Sequence, residues 1–160
     1  MASLEWSAAL SLELPVMDTT HREFVERLAA AEAAPAGQPQ QDAWQALIEH
    51  TEDHFGREDR WMRDTHFASG NCHSVQHKVV LDVMREVGEK ARDDVHLIAS
   101  VAPELGRWFT QHAQSMDAAL ALHMRRVDYD TLTGRVASPG ALPDTAISGC
   151  GSAVCATAAH

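Results

Sequence analysis

The stretch HTEDHFGRED, residues 50–59, sets two histidines and four acidic side chains within about three turns of helix. A solvated helix can be acidic at no cost, so the stretch matters only if other segments carry matching donors. They do. His54 and Glu58 stand four apart, as do His73 and His77, so each pair shares one helix face. His21 lies upstream on an apolar stripe with Phe24, Val25 and Leu28, and His112 and Asp117 lie downstream. A single histidine such as His21 reads by itself as a surface or hydrogen-bonded residue, and one i,i+4 pair as a solvated face. Four segments that each aim metal-competent donors from an inward stripe read as a metal site.

The donor chemistry is specific. Imidazole and carboxylate suit iron, and also accommodate manganese or zinc. Five imidazole nitrogens, two carboxylates that each bridge, and one bridging solvent oxygen leave one position open on a pair of octahedral irons. A small ligand can bind there. Phe24, Phe55, Trp108, Phe109 and Ala113 lie within a turn of the ligands and are the expected pocket lining. His66, His96, His123 and His160 lack a paired donor and are expected to face solvent, and His50, one turn before His54, is expected to be exposed rather than to support the site.

These donors need helices to hold them. The 160 residues are 45% hydrophobic and poor in aromatics, with Ala, Leu, Glu, Arg and Gln abundant, a balance that favours helix over sheet. Residues 1–17 read as an extended arm anchored by Trp6, Leu10, Leu12, Leu14 and Val16. Asp18 is the expected N-cap of a helix over 18–34, which the turn PAGQP ends. Further helices are expected over 40–64, 72–91 and 102–127, with Ser69 or Asn71 capping the third and Pro103 in the first turn of the fourth. The fold class is therefore all-α, an up-down-up-down four-helix bundle over residues 1–130. Residues 131–160, rich in Gly, Ala, Ser and Pro and without hydrophobic periodicity, read as a flexible tail, with Cys150 and Cys155 as incidental thiols.

One spacing does not suit a plain helix. His112 and Asp117 are five apart, which a regular α-helix separates by about 140°, whereas four-apart pairs differ by about 40°. A π-type distortion between about Phe109 and Leu120 is therefore expected.

The ordered pattern DTTH, HFGRE, HSVQH and HAQSMD resembles that of the hemerythrins, specifically the single-domain bacterial type, over about residues 4–130. All seven ligand positions are filled. The resemblance implies two iron ions in a non-haem, oxo- or hydroxo-bridged centre that binds O2 reversibly. His73, His77 and His112 would hold one iron, His21 and His54 the iron with the open position, and Glu58 and Asp117 would bridge. Phe109, Ala113, Ala118 and Ala119 depart from the residues usual in the family, so the pocket shape is expected to differ.

The net charge of −10 argues against nucleic acid or an anionic membrane as partner. The N-terminus carries no signal-peptide pattern or membrane span, and three cysteines do not make a secreted disulfide framework, so the expectation is a cytoplasmic monomer. Five of the seven protein donors are neutral, unlike the carboxylate-rich di-iron enzymes, so O2 is expected to be carried, stored or buffered rather than consumed. The alternatives are an O2 or redox sensor, or an enzyme reducing peroxide or nitric oxide at the same irons.

Overall fold

In the computed structural model, residues 1–67 and 72–147 are described. Four helical segments dominate. They are α1 (Pro15–Ala33), α2 (Gln38–Asp64), α3 (Cys72–Lys90) and a fourth, composite helix. This last runs as α4 (Leu97–His112), a π-helical turn (Ala113–Asp117) and α5 (Ala118–Arg126). α1 packs on α2 and α4, α2 on α3, and α3 on α4, which closes the expected four-helix bundle.

The inward stripes follow from spacing. α1 buries Met17, His21, Phe24, Val25 and Leu28, and α2 buries Trp44, Leu47, Ile48, Thr51, His54, Phe55, Glu58 and Met62. Both sets recur at three and four residues, the period of one helix face. Polar ties fix the register between helices. The Trp44 indole donates to the Met84 carbonyl at 2.9 Å, and the Gln40 and Gln41 amides donate to Ala31 and Ala91 carbonyls, each at 3.1 Å. The α1–α2 turn needs Gly37, whose φ of 101° lies in the left-handed region.

The buried apolar residues form two clusters. One gathers Phe24, Leu28, Trp44, Leu47, Met84, Ile98, Leu105 and Phe109. The other gathers Met17, Trp61, Met62, Phe67, Leu120, Met124 and Tyr129. Along α1, α2 and the fourth helix, every candidate ligand falls between a residue of one cluster and a residue of the other. The N-terminal arm, with a short 3-10 turn at Ala8–Leu10, lies across α1 and the fourth helix. Trp6 sits 4.8 Å beneath the Arg22 guanidinium, and Arg125 donates to the Leu12 carbonyl at 2.7 Å. A Cβ on Gly106 would meet Ser3 and Leu4 of the arm at 3.3 and 3.4 Å, so the arm's close approach requires that glycine.

Several boundaries differ from the sequence reading. α1 begins at Pro15, and Asp18 lies inside its first turn rather than capping it. Its carboxylate instead accepts from the Ser11 hydroxyl at 2.6 Å and the Leu12 amide at 2.7 Å, which pins the arm. The fourth helix starts at Leu97, so Pro103 lies within it rather than at its start. Burial of Ile98 and Ala102 carries the helix across the proline. The expected caps Ser69 and Asn71 lie outside the described residues.

The chain also continues in order past residue 130. β1 (Tyr129–Asp130) pairs antiparallel with β2 (Arg135–Val136), turning at Gly134 with φ 71°. Residues up to Ile147 then fold back. His66 donates to the Pro143 carbonyl, the Ile147 amide donates to the His66 carbonyl at 2.9 Å, and Leu142 and Ile147 pack on the second cluster. The reading of a tail from residue 131 is thus corrected for 131–147, because small residues without periodicity can still dock when a few apolar side chains reach the core. Residues 148–160, with Cys150, Cys155 and His160, lie outside the described residues. Cys72 is disulfide-bonded, where the composition suggested reduced thiols. Among the described residues, no helix is long and apolar enough to cross a membrane.

Leu142→Ala combined with Ile147→Ala removes two partly buried apolar side chains and leaves every cysteine in place. The doubly substituted chain is expected to lose about 2 kcal/mol of stability in urea unfolding. An unchanged midpoint would show that the fold-back segment does not hold the bundle.

Candidate metal centre

The structure brings all seven candidate ligands together. Glu58, His73, His77, His112 and Asp117 offer donor atoms within 4.8 Å of one another, and so do His21, His54, Glu58 and Asp117. Glu58 and Asp117 belong to both groups. The contacts run through the Nε2 atoms. His21 Nε2 lies 3.1 Å from Asp117 Oδ2, and His73 Nε2 lies 3.0 Å from Asp117 Oδ1. His54 Nε2 lies 2.9 Å from Glu58 Oε1, His77 Nε2 lies 3.3 Å from Glu58 Oε2, and His112 Nε2 lies 3.1 Å from Asp117 Oδ1.

The π-helical turn makes the last of these contacts possible. It spans Ala113–Asp117, inside the window expected from the five-residue spacing. Widening the helix by about one residue turns Asp117 back onto the face of His112.

Glu58 and Asp117 are fully buried, and burial alone raises a carboxyl pKa. Here the surrounding imidazoles win. Burial pushes Glu58 up, but His54, His21 and His73 hold it well below its ordinary value. Burial and Glu58 both push Asp117 up, yet His112 and His21 hold it well below. The imidazoles respond in kind. Burial disfavours charge on His21 and His73, but Asp117 and Glu58 outweigh it and hold them up at about 10 and about 9. His77 is raised against burial by Asp59 and Glu58, whereas burial keeps His112 below its ordinary value.

The donor set fits a metal. His21 Nε2, His73 Nε2, Glu58 Oε2 and both Asp117 oxygens are buried, yet none has a hydrogen-bond partner. Such atoms cost free energy when unsatisfied. They converge at contact distance without hydrogen-bonding geometry, which is what a shared cation would satisfy.

Aromatic rings wall the cluster. Phe55 stacks on His77 at 3.9 Å and 6°, and Trp108 stacks on His112 at 4.6 Å and 25°. Phe109 meets His21 edge-on at 5.2 Å and stacks on Phe24 at 4.1 Å. Ala113 is fully buried at the start of the π turn. Of the five residues expected around the pocket, Phe24 and Phe109 stand on the His21 side and Trp108 stands against His112. Phe55 meets both His54 and His77, and Ala113 lies buried at the π turn.

Of the other histidines, His66 and His96 are exposed as expected, whereas His50 is not, its side chain being 7% exposed and donating to the Thr20 carbonyl at 3.1 Å. His123 corrects the sequence reading. It is buried, donating to the Thr65 carbonyl at 2.8 Å beside Phe67. Two partners of the ligands escaped the sequence reading altogether. Asp59 Oδ1 lies 3.1 Å from His77 Nδ1, and Gln76 Oε1 lies 3.0 Å from His112 Nδ1. Their signal was adjacency, since each stands next to a ligand, Asp59 after Glu58 and Gln76 before His77.

Residues 13–125 match the hemerythrin HHE cation binding domain, which spans every candidate ligand. The chain belongs to the hemerythrin family. A bacteriohemerythrin of Ralstonia nicotianae is 39% identical over 119 residues, covering 73% of this chain and 85% of the relative. No solved structure matches. For a hemerythrin, the cluster of histidines, Glu58 and Asp117 is a site able to bind metal.

Two tests follow from the electrostatics. His21 and His73 have folded pKa values above the ordinary 6.5, so their stabilising contribution is complete below that value and lost as pH rises through about 9 and about 10. The metal-free protein should therefore melt lower at about pH 10.5 than at pH 7. Equal melting temperatures would mean that these imidazoles are not charged at neutral pH. For the metal-bound protein, Glu58→Ala and Asp117→Ala should each lose at least one metal ion per chain by elemental analysis. Full metal content in both variants would remove these carboxylates from the ligand set.

Proposed function

We propose that this chain binds O2 reversibly at a pair of non-haem irons, as a carrier, store or buffer of O2. His73, His77 and His112 would hold one iron and His21 and His54 the other, with Glu58 and Asp117 shared. The observation that carries this reading is the pair of overlapping donor groups with two carboxylates in common. Two ferrous irons, when bound, supply the electrons that O2 takes up on binding and returns on release.

The chain's own residues favour return over consumption. Five of the seven donors are neutral imidazoles, which stabilise high-valent iron less than a carboxylate-rich set does. The His21 and His54 group has one donor fewer than the other, so the small ligand belongs on that side. Phe109 and Phe24 wall that side with apolar surface and keep water from it. Both apolar clusters cap the site along the bundle axis and leave little room for a larger substrate. The relative's name, bacteriohemerythrin, agrees with this reading.

The test is spectroscopic. Iron-loaded protein, reduced without air and then given O2, should develop a visible absorption band that disappears when O2 is removed and returns over repeated cycles. Uptake should reach one O2 for each pair of irons. Continuous consumption of peroxide or nitric oxide by the reduced protein, without a reversible O2 band, would replace the carrier reading with an enzymatic one.

A further inference from the structure

The two donor groups differ in what stands behind their imidazoles. Among the described residues, Nδ1 of His21, His54 and His73 has no hydrogen-bond partner. Nδ1 of His77 and of His112 each has one, Asp59 at 3.1 Å and Gln76 at 3.0 Å. Both of these imidazoles also lie flat against an aromatic ring, His77 on Phe55 and His112 on Trp108. A ring held on its face and at its far nitrogen cannot turn or change tautomer without breaking a contact. His77 and His112 are therefore fixed with Nε2 inward, and these two nitrogens converge to 3.2 Å.

The sequence builds this support in register with the ligands. On α2, Phe55 and Asp59 are four apart and lie one residue after His54 and Glu58. The ligand pair and the supporting pair therefore run side by side along the helix, the first toward the cluster and the second toward His77 of α3. Gln76 performs the same task from α3 toward His112. On the fourth helix, Trp108 stands four residues before His112 and stacks on it.

We infer that Asp59 and Gln76 are positioning residues that make the two halves of the centre unequal, fixing the three-imidazole half and leaving the His21 and His54 half adaptable. The inference rests on the two-iron reading of the site. Asp59 carries most of the effect. Its side chain is 33% exposed while His77 is buried, so water shares in solvating its charge. A carboxylate accepting the Nδ1 proton increases electron density at the opposite nitrogen and strengthens it as a metal donor. Gln76 supplies an acceptor without charge, so it orients His112 and adds less donor strength. The supported half retains its metal and favours the ferric state, and the unsupported half gives way when a small ligand arrives.

The test uses Asp59→Asn, which keeps shape and an acceptor oxygen but removes the charge, with Asp59→Glu as the conservative rescue. Protein loaded with ferrous iron alone is exposed to a chelator and iron loss is followed in time. In Asp59→Asn one of the two irons should leave about 10–100-fold faster than in the parent. Its midpoint potential should rise, and Asp59→Glu should restore both. The metal-free protein gives a separate readout. Nitrogen-15 NMR should show a protected His77 Nδ1 proton in the parent, shifted in Asp59→Asn, with the melting temperature unchanged. Release rate, potential and NMR signal all equal to the parent would overturn the inference. A lowered melting temperature of the metal-free variant with loss of both irons would also overturn it, by making Asp59 structural. If the parent takes up no iron pair, the two-iron reading fails, while the NMR signal still decides whether Asp59 holds His77.

Discussion

Two carboxylates at the centre of the bundle, Glu58 and Asp117, are fully buried, and the rest of the molecule is arranged around that fact. Ionised groups removed from water are costly unless opposite charge and well-placed donors surround them. No one helix can surround them. Glu58 comes from α2 and Asp117 from the fourth helix, and the imidazoles that meet them come from all four. The bundle must therefore close before the charges are compensated, which links the site to the fold as a whole. Without a cation, the imidazoles of His21 and His73 take up protons to serve in its place. Metal binding must displace those protons, so affinity and pH are linked through the residues that form the core.

The split of the apolar core into two clusters follows from the same constraint. A polar centre cannot mix with leucine and phenylalanine, so the apolar side chains collect on either side of it along the axis. Both clusters draw on α1, α2 and the fourth helix, which keeps these three together whatever the state of the site. α3 is different. Its buried residues are His73, His77, Met84 and Val87, while Val75, Val79 and Val83 face solvent. The first half of α3 is thus attached through His73, His77 and the Cys72 disulfide, and its second half through Val80, Met84, Val87 and the Trp44 bond. α3 is thus the helix whose packing draws most on the histidine cluster, while the other three share both apolar clusters.

Much of this was legible in the residues, for reasons that explain what was not. His54/Glu58 and His73/His77 announce a shared face because four-residue spacing on a helix admits little else. The inward stripes of α1 and α2 follow from the same periodicity. Helix ends were less legible because one residue can serve two purposes. Asp18 has the chemistry of a cap but anchors the arm, and Pro103 suits a first turn but lies within a helix that Ile98 and Ala102 bury. His123 was misread because a histidine without a paired donor looks like surface, while the Thr65 carbonyl it meets is 58 residues away in sequence. The fold-back of residues 131–147 carries no periodic signal, since two docked side chains and one backbone bond hold its end. Asp59 and Gln76 were hidden by their neighbours, as acidic and amide residues beside ligands read as solvated face.

The π turn shows most directly how the site governs the fold. A regular helix drawn through Leu105, Phe109 and His112 would next present Met116, then residues near 120 and 123, to the core. Burial takes in Met116 at 8% exposure, Leu120 and His123, and also Asp117, Ala121 and Met124 one residue further on, each at 1% or less. The π turn has moved the inward face by about one residue. Before the turn, the fourth helix packs into the first apolar cluster through Ile98, Leu105 and Phe109. After it, the same helix packs into the second through Leu120, Met124 and Val127. One register cannot serve both clusters and also aim His112 and Asp117 at the same centre. The π turn is therefore placed at the candidate ligands, where the carboxylate gained by the shift compensates for the regular hydrogen bonds given up.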